Sequence, residues 1–379
     1  MYDLFHTIYL LAALQGLLLS AFLFTKKANH TANRILAVAT LALSLELVTV
    51  VYYAKGWYNH YPHLMGFTYP FPALYGPLFY LYTRLVSKKE EHLHRIDFLH
   101  FSPFFLIYCV TFPIFFYSAE EKITFLNNML QNIHHPVFSF FDFAVSTQGI
   151  TYTFFTFKIV TEYNRNIKES YSNIDLINLN WLRYLTFSGA VIWSIVALGN
   201  IAQMIGLHFA DFNAMLNIPL SILIYLIGYM GLKQPEIFID QDSYVSKSEQ
   251  TTKYQRSGLS EENAEEIKKR ILTLMETEKP YLNQNLTLQK LSEQLKTSSH
   301  NLSEVINTRM NQSYYDFINQ YRVEEFKTRL KDPESERYNL LSIAFDSGFQ
   351  SKGTFNSIFK KSTGMTPSEY KSSMNATSR

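Results

Sequence analysis

Long apolar runs fill the chain to about residue 232. Beyond residue 233 they give way to charged and polar sequence with short helical periodicities. A helix needs roughly 20 mostly apolar residues to cross a bilayer. Seven windows read that way: about 5–24, 35–54, 64–86, 98–117, 137–160, 185–205 and 214–232. Pro70, Pro72 and Pro77 predict kinks in the third window. Asp142, Ser146, Thr147 and Gln148 make the fifth the most polar.

Short cytoplasmic loops collect Lys and Arg. Lys26, Lys27 and Arg34 lie between windows one and two. Arg84, Lys88, Lys89 and Arg95 flank the gap between three and four. Lys158, Arg165, Lys168 and Arg183 flank the gap between five and six. The other loops hold Lys55, Lys122 and no further basic residue. This alternation predicts an N-terminus outside and, after seven crossings, a cytoplasmic C-terminus.

Residues 233–259 are rich in Ser, Thr and Gln without apolar periodicity, so a flexible linker is expected there. Ser260 then reads as the cap of a connecting helix over 260–280, with acidic residues in its first turn and an apolar stripe at Ile267, Ile271, Leu274 and Met275.

From 281 to 379 the periodicity repeats itself. "TLQKLSEQLK" places Leu288, Leu291 and Leu295 on one face. After a turn, "SHNLSEVINTRM" places Leu302, Val305, Ile306 and Met310 inward and His300, Asn301, Ser303, Glu304, Asn307 and Thr308 outward. About fifty residues later "NLLSIAFDSG" and "SKGTFNSIFKKSTG" do the same. Phe355, Ile358 and Phe359 point inward, and Lys352, Gly353, Thr354, Asn356, Ser357, Lys360 and Lys361 outward. Ser298 corresponds to Ser351, Leu302 to Phe355 and Ile306 to Phe359. "SYYDFINQYRVEEFKTRL" between them reads as a rigid helical spacer, and "TPSEY" as a capped closing helix.

The prediction is therefore an all-α chain: a seven-helix transmembrane bundle over 1–232, then a cytoplasmic helical domain with two helix-turn-helix units. A helix with small polar and basic residues on its outer face fits the major groove. Two on one spacer fit successive grooves.

Composition adds limits. Mean hydropathy is −0.06 and formal net charge +2, averages that hide the division between the halves. From Pro280 onward 13 Lys and Arg face 10 Asp and Glu, so nonspecific affinity for DNA should be low. Cys109 is the single cysteine, which excludes an intramolecular disulfide and a cysteine metal site. No Lys or Arg precedes the first apolar run, so a secretory signal is not expected. His92 with His94, and His134 with His135, lack a third ligand at metal spacing. No catalytic set stands out, and neither an enzyme nor a cofactor is expected.

Polar residues inside the windows raise a second question. Glu46, Asp142, Gln148, Asn200 and Gln203 are candidates for an outward-facing signal pocket. Alternatively they and Gln15 and Asn217 hydrogen-bond between helices. That second reading weighs more for the amides than for the carboxylates.

The pattern G-F-x-S-x-x-x-F-x-x-x-F-K followed by G-x-x-P-x-x-Y, carried by Gly348, Phe349, Ser351, Phe355, Phe359, Lys360, Gly364, Pro367 and Tyr370, resembles the signature of AraC/XylS-type transcription regulators. With the first unit the resemblance covers about residues 283–372. It implies a seven-helix domain with two recognition helices that acts near promoters. It also implies the sub-group, found in Bacteroidota-like bacteria, in which this domain follows a multi-span membrane region. Ser292 and Lys296 stand where the family commonly has Ala and Gly.

The resulting expectation is a one-component regulator in the bacterial inner membrane. Its expected partners are double-stranded promoter DNA, the lipid bilayer, RNA polymerase, a second copy of the chain, and a small-molecule or membrane signal. The alternatives are a transporter or sensor with a regulatory DNA-binding tail, or a tail released by proteolysis.

Overall fold

The computed structural model describes residues 2–27, 29–88, 90–130, 136–175, 177–205, 207, 212–233 and 259–377. The linker expected at 233–259 lies almost wholly outside the described residues, as does the His134–His135 pair. Among the described residues the regular elements are all helical. The chain divides into two compact units. One comprises Met1–Glu162 with Leu179–Ile239, the other Tyr163–Asn178 with Asp240–Arg379.

The first unit contains α1 (Tyr2–Thr25), α2 (His30–Ala54), α3 (Pro72–Lys88), α4 (Ser102–Thr111), α5 (Ala119–Leu130), α6 (Pro136–Ser170, whose last residues belong to the second unit), α7 (Asn180–Met204) and α8 (Phe212–Lys233). α1 packs along α2 and α8. Small residues allow the close approach: a side chain on Gly16 would overlap the Ser44 hydroxyl. Ser20 of α1 donates to the Ala37 carbonyl of α2 at 2.8 Å, a polar tie between the two helices. Arg84 at the end of α3 grips Asp97 with two hydrogen bonds of 2.7 Å. That fork fixes the turn Arg95–Phe101 that leads into α4.

The expected count of seven crossing helices is corrected here. Four helical stretches are long and apolar enough: Leu4–Thr25, His30–Ala54, Arg95–Phe116 and Asn180–Gln203. The third window fails because residues 65–71 are turns. Pro70 and Pro72 delimit the start of α3 instead of kinking it, which leaves a helix of 17 residues with Pro77 inside. α6 has 35 residues but carries Asp142, Lys158 and a run of hydroxyl side chains that dilute its apolar character. In α8 only Asn217–Ile227 reads as an apolar helix among the described residues.

The second unit holds α9 (Glu261–Thr277), α10 (Leu288–Gln294), α11 (Ser299–Arg309), α12 (Tyr314–Leu330), α13 (Leu340–Asp346), α14 (Lys352–Thr363) and α15 (Pro367–Thr377). Side-chain caps start most of them. Ser260, Thr287, Ser298, Ser313, Asn339 and Ser351 each accept the amide three residues on. Thr366 and Glu369 form the expected reciprocal box ahead of α15.

Two cores lie along α12. Its first half puts Tyr314, Phe317 and Ile318 into a cluster with Leu288, Leu291, Leu302, Val305 and Ile306. Ala264, Ile267, Ile271 and Met275 of α9 complete that cluster, so the connecting helix belongs to the first helix-turn-helix. The second half of α12 puts Val323, Phe326 and Leu330 against Ile343, Ala344, Phe349, Phe355 and Phe359. Phe326 touches both Phe355 and Phe359, at ring-centroid separations of 4.7 and 5.2 Å.

Candidate nucleic-acid interface

Each helix-turn-helix is built from the same parts. A short helix, α10 or α13, ends in a tight turn. The next helix, α11 or α14, then starts on a serine. Ser298 accepts from the Asn301 amide at 3.1 Å and Ser351 from the Thr354 amide at 3.2 Å. The two turns differ in how they reverse the chain. The second uses Gly348, with φ +94. The first uses Lys296, with φ +50, a conformation costly for a residue with a Cβ. Buried Ser292 has also found partners. It donates to the Gln289 carbonyl at 2.8 Å and lies 3.0 Å from the Ser299 hydroxyl.

On α14, Lys352, Gly353, Asn356, Ser357, Lys360 and Lys361 are exposed, as the periodicity predicts. Thr354 is half-buried because the Asp175 carboxylate accepts a hydrogen bond from its hydroxyl. Lys361 donates to Asp316 at 3.0 Å, which commits part of its charge within the protein. On α11, His300 is exposed, while Asn301, Ser303, Glu304 and Asn307 are half-buried. Asn307 donates to Ser303 at 3.3 Å, and His300 lies 3.9 Å from Glu304. The second helix thus presents the more open and more basic face.

Residues 291–373 match the family model described as a helix-turn-helix domain. The match supports a helix-turn-helix of the AraC type over those residues. No curated protein and no solved structure gives a match. An AraC-type domain is a DNA-binding regulator module rather than an enzyme family, and its expected ligand is double-stranded DNA.

Sequence patterning missed one group in this AraC-type domain. Arg322 is buried where the two cores meet on α12. It donates to the carbonyls of Tyr281 (2.8 Å), Asn283 (2.9 Å) and Ser172 (3.0 Å), and to the Ser172 hydroxyl (3.0 Å). Burial pushes its pKa down to about 10, so it stays protonated at neutral pH. Its guanidinium is the tie between three stretches of chain.

In the first unit a cavity of about 1540 Å³ is lined mainly by apolar and aromatic side chains. Of the candidate pocket residues, Glu46, Asp142, Asn200 and Gln203 line it. Gln148 lies instead at a smaller cavity beside Tyr152. Several of these groups also bond across helices. Tyr75 donates to Glu46, Tyr69 to Asp142 at 3.1 Å, Asn200 to the Asp142 carbonyl at 3.0 Å, and Gln148 to the Ala73 carbonyl at 3.3 Å. Buried Lys122 lines the same cavity. It donates to the Phe115 carbonyl at 3.0 Å, and its Nζ lies 3.1 Å from His63 Nδ1. Neither tyrosine nor Lys122 stood out in the sequence, because tyrosine is common in these spans and Lys122 reads as an ordinary loop charge. No group of three or more metal-ligating side chains occurs among the described residues.

Proposed function

We propose that this protein is a membrane-embedded one-component transcription regulator. The observation that carries the reading is the pairing of two capped helix-turn-helix units on α12 with apolar helices of membrane length in the same chain. α11 and α14 enter successive major grooves, with His300, Asn301, Ser303, Glu304 and Asn307 on one and Lys352, Gly353, Thr354, Asn356, Ser357, Lys360 and Lys361 on the other.

The first unit lies in the bilayer. Leu14, Leu18, Phe105, Phe187 and Leu198 are exposed, as lipid-facing side chains are. The basic segment that includes Arg165 and Lys168 belongs to the same unit as the DNA-binding helices, which supports a cytoplasmic side for both. Lys26, Lys27 and Arg34 put the N-terminus outside. An odd number of crossings must then join the two ends, so at least one further helix of the unit crosses beside the four. The large cavity, with Glu46, Asp142, Asn200 and Gln203 among its polar groups, receives the signal.

Chromatin immunoprecipitation of the tagged full-length protein, with a blot of membrane and soluble fractions from the same cells, tests this reading. Discrete promoter peaks with intact protein only in the membrane support it. Peaks accompanied by a short soluble fragment would replace tethering with proteolytic release. Absence of peaks across growth conditions would sink it.

A further inference from the structure

The segment Tyr163–Asn178, made of the last two turns of α6 and the connection toward α7, is folded into the DNA-binding unit. Tyr171 forms an antiparallel bridge with Thr287, the cap of α10. Ser172 is buried, and its hydroxyl donates to the Leu286 carbonyl at 2.6 Å. Its own carbonyl accepts from Asn319 at 3.1 Å and from Arg322 at 3.0 Å. The Tyr163 hydroxyl holds the end of the segment by donating to the Ile177 carbonyl at 2.8 Å.

From this anchor the segment delivers one charge. The Asp175 carboxylate accepts hydrogen bonds from Ser351 and Thr354 through its two oxygens. Ser351 is the cap of α14, and Thr354 stands on its outward face. The first turn of a helix carries unsatisfied amides and the positive end of the dipole, which is where a DNA phosphate docks. Asp175 occupies that position with the same sign of charge as a phosphate.

We infer that Tyr163–Asn178 is a built-in competitor of DNA: seated, it closes the second recognition helix, and unseated it frees Ser351 and Thr354 for the duplex. The inference rests on the DNA-binding reading above and names the step that is regulated. The segment begins within α6 and leads to α7 after it, so a rearrangement of those helices reaches it along the backbone. A segment that merely braced the domain would need Ser172 and its bonds to Arg322. It would not need a carboxylate on the groove-facing helix.

The test uses the full-length chain in lipid nanodiscs with Asp175→Cys and Thr354→Cys in a Cys109→Ser background. Binding of a fluorescein-labelled pool of random-sequence duplexes is read by anisotropy at low salt, before and after diamide oxidation. The two native side chains hydrogen-bond, so a disulfide between the paired cysteines would hold the segment seated. The oxidised form should bind about tenfold more weakly than the reduced form, as expected when one of two recognition helices is withheld. Reductant should restore binding. Equal affinity in both states overturns the inference. Absence of binding in both states sinks the DNA reading and the inference with it. Should the double variant not fold or not crosslink, Asp175→Ala in the natural chain should bind the same pool several-fold more tightly, and unchanged binding would overturn the inference.

Discussion

Gly348 lies against Arg322: a Cβ built on the glycine would stand 3.0 Å from the guanidinium Nε and would overlap the Tyr281 carbonyl that this nitrogen bonds. The glycine also has φ +94, which L side chains rarely adopt. The turn of the second helix-turn-helix and the buried arginine therefore share one requirement, a bare backbone at residue 348. Gly348→Ala meets both penalties, backbone strain and a clash at a buried charge. It should destabilise the second unit by about 3 kcal/mol or more. Hydrogen exchange of peptides from residues 339–363 in the full-length protein measures this. Exchange unchanged from the natural chain would show that the turn relaxes without cost.

Lys296 is the opposite case. Its φ of +50 suits glycine, and the side chain is exposed. Lys296→Gly removes the strain of a left-handed residue and should stabilise the first helix-turn-helix by about 1 kcal/mol, less the entropy that glycine adds to the unfolded chain. Slower exchange in peptides from 288–309 is the expected result. Faster exchange would mean that the lysine makes a compensating contact.

These two turns show how far the sequence could be read. The serine caps, the Leu and Phe stripes and the paired units were legible because each depends on neighbours within a few positions. Gly348 could be read as a helix stop, and Lys296 as a departure from a family pattern. Its left-handed backbone could not be read, since a lysine codon carries no sign of φ. Arg322 and Asp175 were invisible for a different reason. Their partners lie about 40 to 180 residues away, and periodicity says nothing across such distances. The spans of the first unit were overcounted because apolar content was read without helix ends. The turns at 65–71 break the third window, and the hydroxyl run of α6 dilutes the fifth.

Glu325 makes the second unit sensitive to acid. Burial alone would raise its carboxyl pKa. Hydrogen bonds from Lys279 (2.9 Å) and Arg329 (2.8 Å) more than reverse that, and the value lies below the ordinary carboxylate range. A depressed folded pKa gives stability that is complete above the unfolded value of about 4.3 and is lost as pH falls through the folded value. Glu325→Gln should therefore speed exchange across α12 at neutral pH. The difference from the natural chain should shrink below about pH 4. A gap that stays constant into the acid range would assign the effect to packing instead of charge.

Lys352 and Asn356 separate two kinds of DNA contact on one helix. Both are exposed on α14, four residues apart and so on the same face. A lysine near the helix start reaches phosphate, which every sequence offers. Lys352→Ala should weaken binding to a cognate promoter fragment and to random duplex alike, and lower the salt dependence by about one counterion. An asparagine one turn later can pair with adenine through two hydrogen bonds. Asn356→Ala should cost about 1–3 kcal/mol on the cognate fragment alone and leave random duplex almost untouched. Anisotropy titrations of the full-length protein in nanodiscs, with a fragment recovered by immunoprecipitation, distinguish the two. If both variants weaken cognate and random DNA equally, α14 rides on the backbone and sequence is read elsewhere. If neither does, the groove-facing side of α14 is not the one that the periodicity assigns.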